Sequence, residues 1–278
     1  MAKVSFLDKS LWSKFKESVS WISTIFSLVL IFVNIPDKCK IAAGAIFLLG
    51  LLAFYIFIWI RANRLKTIDL DIEGSTVTVK AGDIFKEQDL KVIAFNEYFD
   101  TQVDDRIISS KSLNGIFINS HLQSGVNDLD RHIENYQFED DDLASRNDNR
   151  RAGKKQRYEL GTVCVYQDFI LTAFTKFDEN NKAVLTMPEY LGFLIKFWDK
   201  INLIYAQKSV SVPVFGSGIT RIKEHKNISD EELLKIMLWT FRISEMRFKY
   251  PAKLTIVIHE SKIDKVNLLD LSLTKNGI

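Results

Sequence analysis

One apolar run constrains this chain more than any other feature of its sequence. Residues 41–60 contain no charged side chain. As an α-helix, a run of this length spans about 30 Å, the thickness of the hydrocarbon core of a bilayer. Tyr55 and Trp59 lie toward its C-terminal end, and Arg61 and Arg64 follow. That order is typical of an interfacial aromatic belt with a basic flank, so the run predicts a transmembrane helix.

A second, shorter apolar run precedes it. In residues 19–35 all the polar side chains are small, and Pro36 follows. A secretory signal peptide is disfavoured because a longer apolar run follows at once. A soluble core hairpin is disfavoured because the longer run has no polar positions at helical spacing. We therefore predict two transmembrane helices over about 18–35 and 41–61, within an N-terminal region of residues 1–66.

Charge is distributed unevenly between the two parts of the chain. Residues 1–66 carry nine basic and three acidic side chains, so the net charge of +2 divides into +6 on this region and −4 on the rest. A net negative remainder argues against nucleic-acid binding, which needs a basic face. Basic residues flank the outer ends of both apolar runs, and the positive-inside rule then predicts that both termini are cytoplasmic.

Residues 67–278 have the pattern of an α/β domain. Two β-rich segments joined at Gly74-Ser75 indicate a hairpin, and Ser229 and Glu232 have the spacing of a helix capping box. Strands that alternate with helices predict a three-layer α/β/α domain with a mixed sheet. The predicted strands are 67–73, 76–80, 91–95, 162–165, 169–176, 210–214 and 254–259, and the predicted helices are about 112–122, 188–206 and 229–248.

The stretch of about 124–157 differs in character from the rest of this domain. Residues 139–142 are all acidic, and residues 146–157 are polar and basic. Such a composition is typical of a solvated excursion. We therefore predict a surface insertion or mobile loop here.

The most specific candidate for a binding site follows the strand predicted at 210–214. It reads Phe215-Gly216-Ser217-Gly218-Ile219-Thr220. Open α/β sheets bind ligands beyond the carboxyl ends of their strands, and glycines there let backbone N–H groups approach phosphate oxygens. No Gly-Lys-Ser/Thr follows at P-loop spacing. A structural turn and a phosphate-binding loop both account for this segment.

Two further strand ends carry polar residues. Asp83 follows Gly82 in a tight loop. Its carboxylate can accept hydrogen bonds from an adenine amino group or stabilise its own turn. Asn96 and Asp100 follow the strand at 91–95, where they form either a ligand rim or a helix cap with a solvated face.

The sequence contains no recognisable catalytic or metal-binding set. The four histidines lack the spacing of a metal site, and no Gly-x-Ser-x-Gly nucleophile elbow occurs. Cys39 lies in the predicted hairpin turn and Cys164 in a β-rich run, so both are predicted to be free thiols. We therefore predict no catalytic residue, no metal and no cofactor.

Three strand-end loops resemble those of a macro domain in their order and setting. They are Gly82-Asp83-Ile84, the strand that ends at Asn96, and the loop at 214–219. More specifically, residues of about 67–272 resemble the divergent macro domain of the type II Thoeris antiphage membrane effectors, whose layout also includes an N-terminal two-helix hairpin. The segments that carry this resemblance are Asn96-Glu97-Tyr98-Phe99-Asp100-Thr101, Phe177-Asp178-Glu179-Asn180-Asn181 and Gly216-Ser217-Gly218-Ile219-Thr220.

The resemblance implies a role in antiviral defence. A partner enzyme with a TIR domain is expected to convert NAD into an ADP-ribose-derived signal, a histidine adduct in this type, which the macro domain binds. The effector then self-associates in the inner membrane as a multi-pass protein, disrupts the membrane and kills the infected cell.

The resemblance also assigns roles to individual residues. By the macro-domain pattern, Asp83 meets the adenine, residues 216–219 cradle the diphosphate, and Asn96 lies near the distal ribose. The expected ligand-binding residues are Asp83, Ile84, Asn96, Asp100, Phe215, Gly216, Ser217, Gly218, Ile219 and Thr220.

The chain departs from the usual macro domain in one loop. A glycine-rich loop normally follows the asparagine strand and helps ADP-ribose hydrolysis. Residues 98–105 occupy that place here, and their bulk and charge make a poor phosphate cradle. The departure favours a sensor over an enzyme. A membrane-anchored ADP-ribosyl hydrolase and an ADP-ribose-binding scaffold are the alternatives.

Overall fold

Two long helices form the N-terminal part of the protein. The computed structural model describes residues 3–33, 35–178, 181–218, 220–223, 225 and 227–273. Helix α1 extends over Lys9–Phe32 and helix α2 over Asp37–Arg64. Helix α1 begins where the carboxylate of Asp8 accepts hydrogen bonds from the backbone N–H groups of Ser10 and Leu11. Both helices are long and apolar enough to cross a membrane.

The two helices extend beyond most ends of the spans predicted from hydropathy. Helix α1 starts at Lys9, nine residues before the predicted 18–35, and it ends at Phe32. Charged side chains interrupt the apolar pattern in its first turns, so a search for a continuous apolar run misses them. For the same reason the prediction of 41–61 omits the charged ends of α2.

The two helices expose most of their apolar side chains. In α2, Leu48 and Leu49 are each 66% exposed. The buried residues in the described part of the two helices are Leu11, Tyr55, Ile58 and Ala62. These four lie at the base of the hairpin and pack with Val4 and Leu269, so the hairpin rests on the C-terminal part of the domain.

The described part of the domain contains eleven strands and five further helices. The strands are β1 (Thr67–Ile72), β2 (Ser75–Gly82), β3 (Leu90–Asn96), β4 (Leu143–Arg146), β5 (Gln156–Tyr158), β6 (Val163–Tyr166), β7 (Phe169–Phe177), β8 (Ala183–Leu185), β9 (Val210–Pro213), β10 (Arg221–Ile222) and β11 (Leu254–His259). The helices are α3 (Leu113–Ile116), α4 (Val126–Asn135), α5 (Met187–Ile204), α6 (Asp230–Ile243) and α7 (Leu268–Leu273), with short 3-10 helices at Ile84–Lys86, Asp140–Asp142 and Glu260–Lys265 and a π-helix at Phe117–His121.

Nine of these strands form one mixed sheet within the described residues. The order is β1-β2-β11-β9-β3-β7-β8-β10, and β6 pairs with β7. Strands β2, β11, β9, β3 and β7 are parallel, so their carboxyl ends meet at one edge. Strand β1 is antiparallel to β2, and β6 and β8 are antiparallel to β7. Strands β4 and β5 form a separate pair.

Helices cover both faces of the sheet. Neighbouring residues of a strand point to opposite faces. Val92 of β3 accordingly belongs to the same buried cluster as Trp198 of α5 and Phe241 of α6, whereas Ile93 belongs to a second cluster with Leu129 of α4. The predicted three-layer α/β/α fold with a mixed sheet is confirmed.

Most predicted elements of the domain are present, and the errors have local causes. Helix α6 ends at Ile243 and not near residue 248, because Ser244 adopts an extended conformation with ψ of 166°. Three short elements of six residues or fewer were not predicted, namely β8, β10 and α7.

Residues 124–157, predicted as a surface insertion or mobile loop, are not a structureless loop. The segment contains α4, a 3-10 helix and the β4–β5 pair. Leu129 and Ile133 of α4 are at most 2% exposed and belong to the core on one face of the sheet. The polar composition of the segment suggested exposure to solvent. Several of its charged side chains instead form ion pairs inside the domain, such as Arg150 with Asp100 and Arg157 with Glu97.

Candidate functional site

A cavity of about 550 Å³ opens at the edge where the parallel strands end. The last residues of β3, β7 and β9 lie at its base. Three segments surround it: the loop after β9, residues 105–114 after β3, and the connection from β7 to β8. This edge is the usual ligand-binding position of open α/β sheets.

The glycine loop, residues 214–218, forms one wall. Gly216 has a φ of +84°, a left-handed conformation that favours glycine. The hydroxyl of Tyr190 in α5 donates to the carbonyl of Phe215 at 3.0 Å. The ammonium of Lys262, just after β11, donates to the carbonyl of Ser217. The protein itself therefore sets the conformation of this loop.

Residues 105–114 form a second wall. Asp104 fixes the start of this wall, because its Oδ1 accepts from the N–H groups of Ile107 at 2.7 Å and Arg106 at 2.9 Å. These hydrogen bonds lower the pKa of Asp104, so it stays ionised. The exposed side chains of Arg106 and Lys111 line the cavity from this wall.

The cavity is positively charged. Arg106, Lys111 and Lys182 line it, and no ion pair joins any of them to another described residue. Among the described lining residues, Asp105 is the one that has an acidic side chain. Hydrogen bonds from the backbone and the hydroxyl of Ser110 lower the pKa of Asp105. Three cations against one carboxylate suit an anionic ligand.

Aromatic rings lie at the base of the cavity. Phe95, Phe174, Phe177 and Phe215 all contribute to its lining. The ring centroids of Phe174 and Phe215 are 5.2 Å apart, so the two rings pack on each other. Phe95, Phe174 and Phe215 are at most 3% exposed, so their rings belong to the core of the domain. Phe177 is half-buried and is the one of these four rings that the flat face of a nucleobase can contact.

The side chain of Asn96 is used inside the protein, although the residue lines the cavity. Its Oδ1 accepts from the N–H groups of Tyr98 at 2.9 Å and Asp100 at 3.3 Å, and its Nδ2 donates to Asp100 at 3.0 Å. Asp100 is fully buried and does not line the cavity. Both side chains therefore hold the turn after β3.

Arg150 neutralises Asp100. Its guanidinium donates to both carboxylate oxygens, at 2.9 and 2.6 Å, and stacks 3.8 Å from the ring of Tyr98. It also donates to the Oδ1 of Asn181, at 3.2 Å, on the β7–β8 wall. Gly153 is required close by, because it has a φ of +84° and an added Cβ would lie 2.6 Å from Asp100.

A second ion pair strengthens the same attachment. Glu97 is 2% exposed and accepts from Arg157 at 2.8 and 3.1 Å. Its other oxygen accepts from the N–H of Phe177 at 3.1 Å. We call residues 147–157 the strap, because this segment ties the turn after β3 to the β7–β8 wall of the cavity.

Asp83 and Ile84 lie at the same edge of the sheet but do not line the cavity. Strands β11 and β9 separate β2 from β3. The Oδ1 of Asp83 accepts from the N–H of Phe85 at 3.0 Å and so caps a 3-10 helix. Ile84 is buried, at 5% exposure.

The structure thus brings together six of the ten predicted site residues. Those that line the cavity are Asn96, Phe215, Gly216, Ser217, Gly218 and Thr220. Asp83, Ile84 and Asp100 lie outside its lining, and Ile219 lies outside the described residues. The three cations and the strap were not predicted from the sequence. A search for basic residues shortly after each predicted strand would have found Arg106 and Lys111.

An acidic group elsewhere is neutralised by lysines. Glu139, Asp141 and Asp142 have carboxylate oxygens within 4.8 Å of one another, close enough to hold a cation. The ammonium of Lys200 contacts Glu139 and lies 3.0 Å from Asp142. Lys196 lies 3.2 Å from Asp142. Protein ammonium groups therefore supply the positive charge here.

Comparison with known proteins identifies close relatives of this chain. The family model described as "Thoeris protein ThsA, Macro domain" matches residues 77–259. The Thoeris protein ThsA of Bacillus amyloliquefaciens (strain Y2) is 39% identical over 267 residues, which cover 92% of this chain and 87% of that protein.

Solved structures of a macrodomain from Oceanobacillus iheyensis resemble the chain more distantly. The structure with ADP has a TM-score of 0.47 at 15% identity and covers 74% of this chain and 94% of its own. The structure with MES bound has a TM-score of 0.44 at 15% identity, and the match covers 71% of this chain and 90% of that one.

Proposed function

We propose that this chain, which belongs to the ThsA macro-domain family of Thoeris proteins, is an antiphage effector that binds an ADP-ribose-derived signal and acts on a membrane. The cavity at the ends of β3, β7 and β9 is the proposed signal site, and α1 and α2 are the proposed output. One observation carries the proposal: a single cavity combines a glycine loop, three cationic side chains and an apolar base.

ADP-ribose has the chemistry that such a cavity recognises. Its diphosphate is a dianion, which N–H groups of the glycine loop and the side chains of Arg106 and Lys182 can bind. Its adenine offers a flat face to the half-buried ring of Phe177. The volume of about 550 Å³ falls in the range of roughly 300–1,000 Å³ typical of small-molecule sites.

The turn after β3 supports binding without turnover. The side chains of Asn96 and Asp100 are hydrogen-bonded to each other, and Arg150 neutralises Asp100. Asp105 is the carboxylate among the described lining residues, and Ser110 holds it in place. Hydrolysis of an ADP-ribosyl bond requires a base or a positioned water near the distal ribose. We therefore favour a sensor over an ADP-ribosyl hydrolase.

A partner and a membrane complete the proposal. A TIR-domain enzyme makes the signal from NAD, and the histidine adduct of ADP-ribose is the form we expect. The chain spans the inner membrane twice with both termini in the cytoplasm. Signal binding must favour the self-associated state over the resting one, because a ligand with equal affinity for both shifts nothing. The assembled hairpins then disrupt the membrane and kill the infected cell.

Calorimetric titration of the full chain in detergent tests the binding step. ADP-ribose and its histidine adduct are titrated into the wild type, Gly218→Glu and a control, Lys208→Glu. A Cβ at Gly218 meets no atom within 4 Å, so the glutamate adds negative charge to the glycine loop without a steric clash. Lys208 is exposed and precedes β9, at the opposite edge of the sheet.

We expect the wild type and Lys208→Glu to bind at least one of the two ligands, and Gly218→Glu to lose at least about tenfold in affinity through charge repulsion. A wild type that binds neither ligand would refute the proposed function. Chromatography of the same mixtures tests the alternative, because release of free ADP-ribose from the adduct would identify a hydrolase.

A further inference from the structure

A series of polar contacts starts at the back of the glycine loop. The ammonium of Lys262 donates to the carbonyl of Ser217 and also lies 3.5 Å from the carboxylate of Asp230. Asp230 is the first residue of α6, and a capping box of Ser229 and Glu232 fixes this helix start. The side chain of Lys262 therefore joins Ser217 to the first turn of α6.

The next contacts join α6 to α7. Glu231 follows Asp230 in the same turn, and its Oε2 accepts from the backbone N–H of Asn267 at 2.8 Å. Its Oε1 lies 2.9 Å from the ammonium of Lys235, which in turn lies 2.9 Å from Asp270. The first two turns of α6 thus hold α7 by side chains and backbone together.

The last contacts reach the first membrane helix. Asp270 accepts a hydrogen bond from the hydroxyl of Ser10 in α1. Asn267 donates from its Nδ2 to Asp8, the capping residue of α1, at 3.3 Å. The hydrogen bond from Ser10, together with the ion pair to Lys235, lowers the pKa of Asp270. Leu269 of α7 belongs to the apolar cluster at the base of the hairpin.

We propose that Lys262, Lys235 and Asp270 are positioning residues that couple the glycine loop to the membrane hairpin through α6 and α7. A change at the loop alters how α1 docks on α7, and a change in docking alters the loop, because coupling between two sites is reciprocal. The nature of the signal rests on the proposed function, whereas the coupling is a property of the chain without ligand.

Amide hydrogen exchange of the full chain in detergent, without ligand, tests this coupling. The N–H of Ser217 is hydrogen-bonded to the carbonyl of Val214 at 3.2 Å, so its exchange reports on the glycine loop. Asp270→Asn keeps the size of the side chain and removes the charge that holds Lys235. We expect exchange in residues 214–218 to accelerate about two- to fivefold, the range that follows from the typical strength of one partly exposed ion pair.

Glu73→Gln is the matched control. The ion pair of Glu73 with Arg242 is 45% and 39% exposed, and that of Asp270 with Lys235 is 38% and 35% exposed. Glu73 precedes β2, at the edge of the sheet opposite the cavity. We expect the loss of the Glu73–Arg242 ion pair to leave the amide exchange of residues 214–218 unchanged.

Substitution of Lys262, which contacts the glycine loop, tests whether the coupling also acts from the loop to α7. Lys262→Met should accelerate exchange in residues 267–271, and Lys262→Arg, which keeps a cation in place, should restore the wild-type rate. Amide exchange that accelerates only near each substituted residue would overturn the proposal. An unchanged exchange rate of residues 214–218 in Asp270→Asn would also overturn it.

ADP-ribose and its histidine adduct, titrated into the same samples, separate this inference from the proposed function. Coupled exchange in a chain that binds neither ligand would support the coupling and refute the proposed function. Ligand binding without coupled exchange would refute the coupling and leave the binding function intact.

Discussion

Helices α1 and α2 expose apolar residues of the kinds that the α/β domain buries. In the domain, Leu234 and Phe193 are buried to 1% exposure or less between the sheet and its helices. In α2, Leu48 and Leu49 are each 66% exposed. Water-soluble proteins rarely expose apolar surface of this extent, whereas a bilayer solvates it. The difference supports the proposal that the two regions are built for different solvents.

The two regions meet at a short element. Helix α7 has six residues and contributes to both cores. Leu268 and Leu271 belong to the core of the domain, whereas Leu269 belongs to the cluster at the base of the hairpin. A helix that packs on both sides is a suitable place for the state of one region to affect the other.

The largest expected effect lies inside the domain. Arg150→Met leaves the carboxylate of Asp100, 1% exposed, without its ion-pair partner. We expect the free energy of unfolding to fall by about 3–5 kcal/mol, the usual cost of breaking a buried pair. Urea denaturation of the full chain in detergent, followed by tryptophan fluorescence, measures this change.

Arg146→Met provides the control for that measurement. Arg146 lies in the neighbouring strand and pairs with Asp148, but the two side chains are 61% and 70% exposed. We expect no measurable change in stability, because water screens such a pair. Equal losses in the two variants would contradict the account of the strap.

An arginine in each region separates the two solvents. Leu49→Arg places a charge near the middle of α2, which costs about 3 kcal/mol in a bilayer. Ile195→Arg places the same charge at a 43% exposed position on α5 of the domain. We expect the share of chain that resists alkaline extraction from membranes to fall in Leu49→Arg only. Equal extraction of the two variants would contradict the proposal that α2 lies in the membrane and α5 does not.

A smaller effect is expected from one cation of the cavity. Lys182→Gln removes a charge that lines the cavity, and we expect the affinity for the signal to fall about three- to tenfold. Lys253→Gln is the control, because Lys253 is exposed and precedes β11 at the opposite edge of the sheet. A similar loss in both variants would indicate general charge attraction instead of a site.

The cysteines give the mildest probe of the two regions. Cys39 is exposed in the first turn of α2, whereas Cys164 is buried in β6. Burial raises the pKa of Cys164 to about 12, so this thiol stays protonated at neutral pH and its reactivity rises only in strong alkali. We expect a maleimide at pH 7 to label one cysteine in each native chain, seen as a single mass increment. Two increments before denaturation would contradict the burial of β6.

Local patterns predicted the parts of the fold that depend on near neighbours. The apolar runs, the hairpin at Gly74 and the capping box of α6 are each readable within a few residues. The three-layer fold followed from their order. Helix bounds were less certain because a cap such as Asp8 can start a helix among charged residues.

The parts that could not be predicted depend on distant partners. Arg150 and Asp100 lie fifty residues apart, and nothing near either residue indicates that they pair. Without knowledge of that pairing, the composition of the strap predicts a solvated loop, and the position of Asp100 predicts a residue at the rim of a ligand site. The glycine loop was recognisable because its own residues carry the signal, but the cations that face the same cavity come from separate segments.

The central claim is that the cavity controls the hairpin, and crosslinking at Cys39 tests it most directly. Copies of the full chain in proteoliposomes are treated with a bismaleimide, with and without the histidine adduct of ADP-ribose. We predict that the adduct increases crosslinking between chains in the wild type and not in Gly218→Glu. Equal crosslinking of the wild type with and without the adduct would contradict the claim.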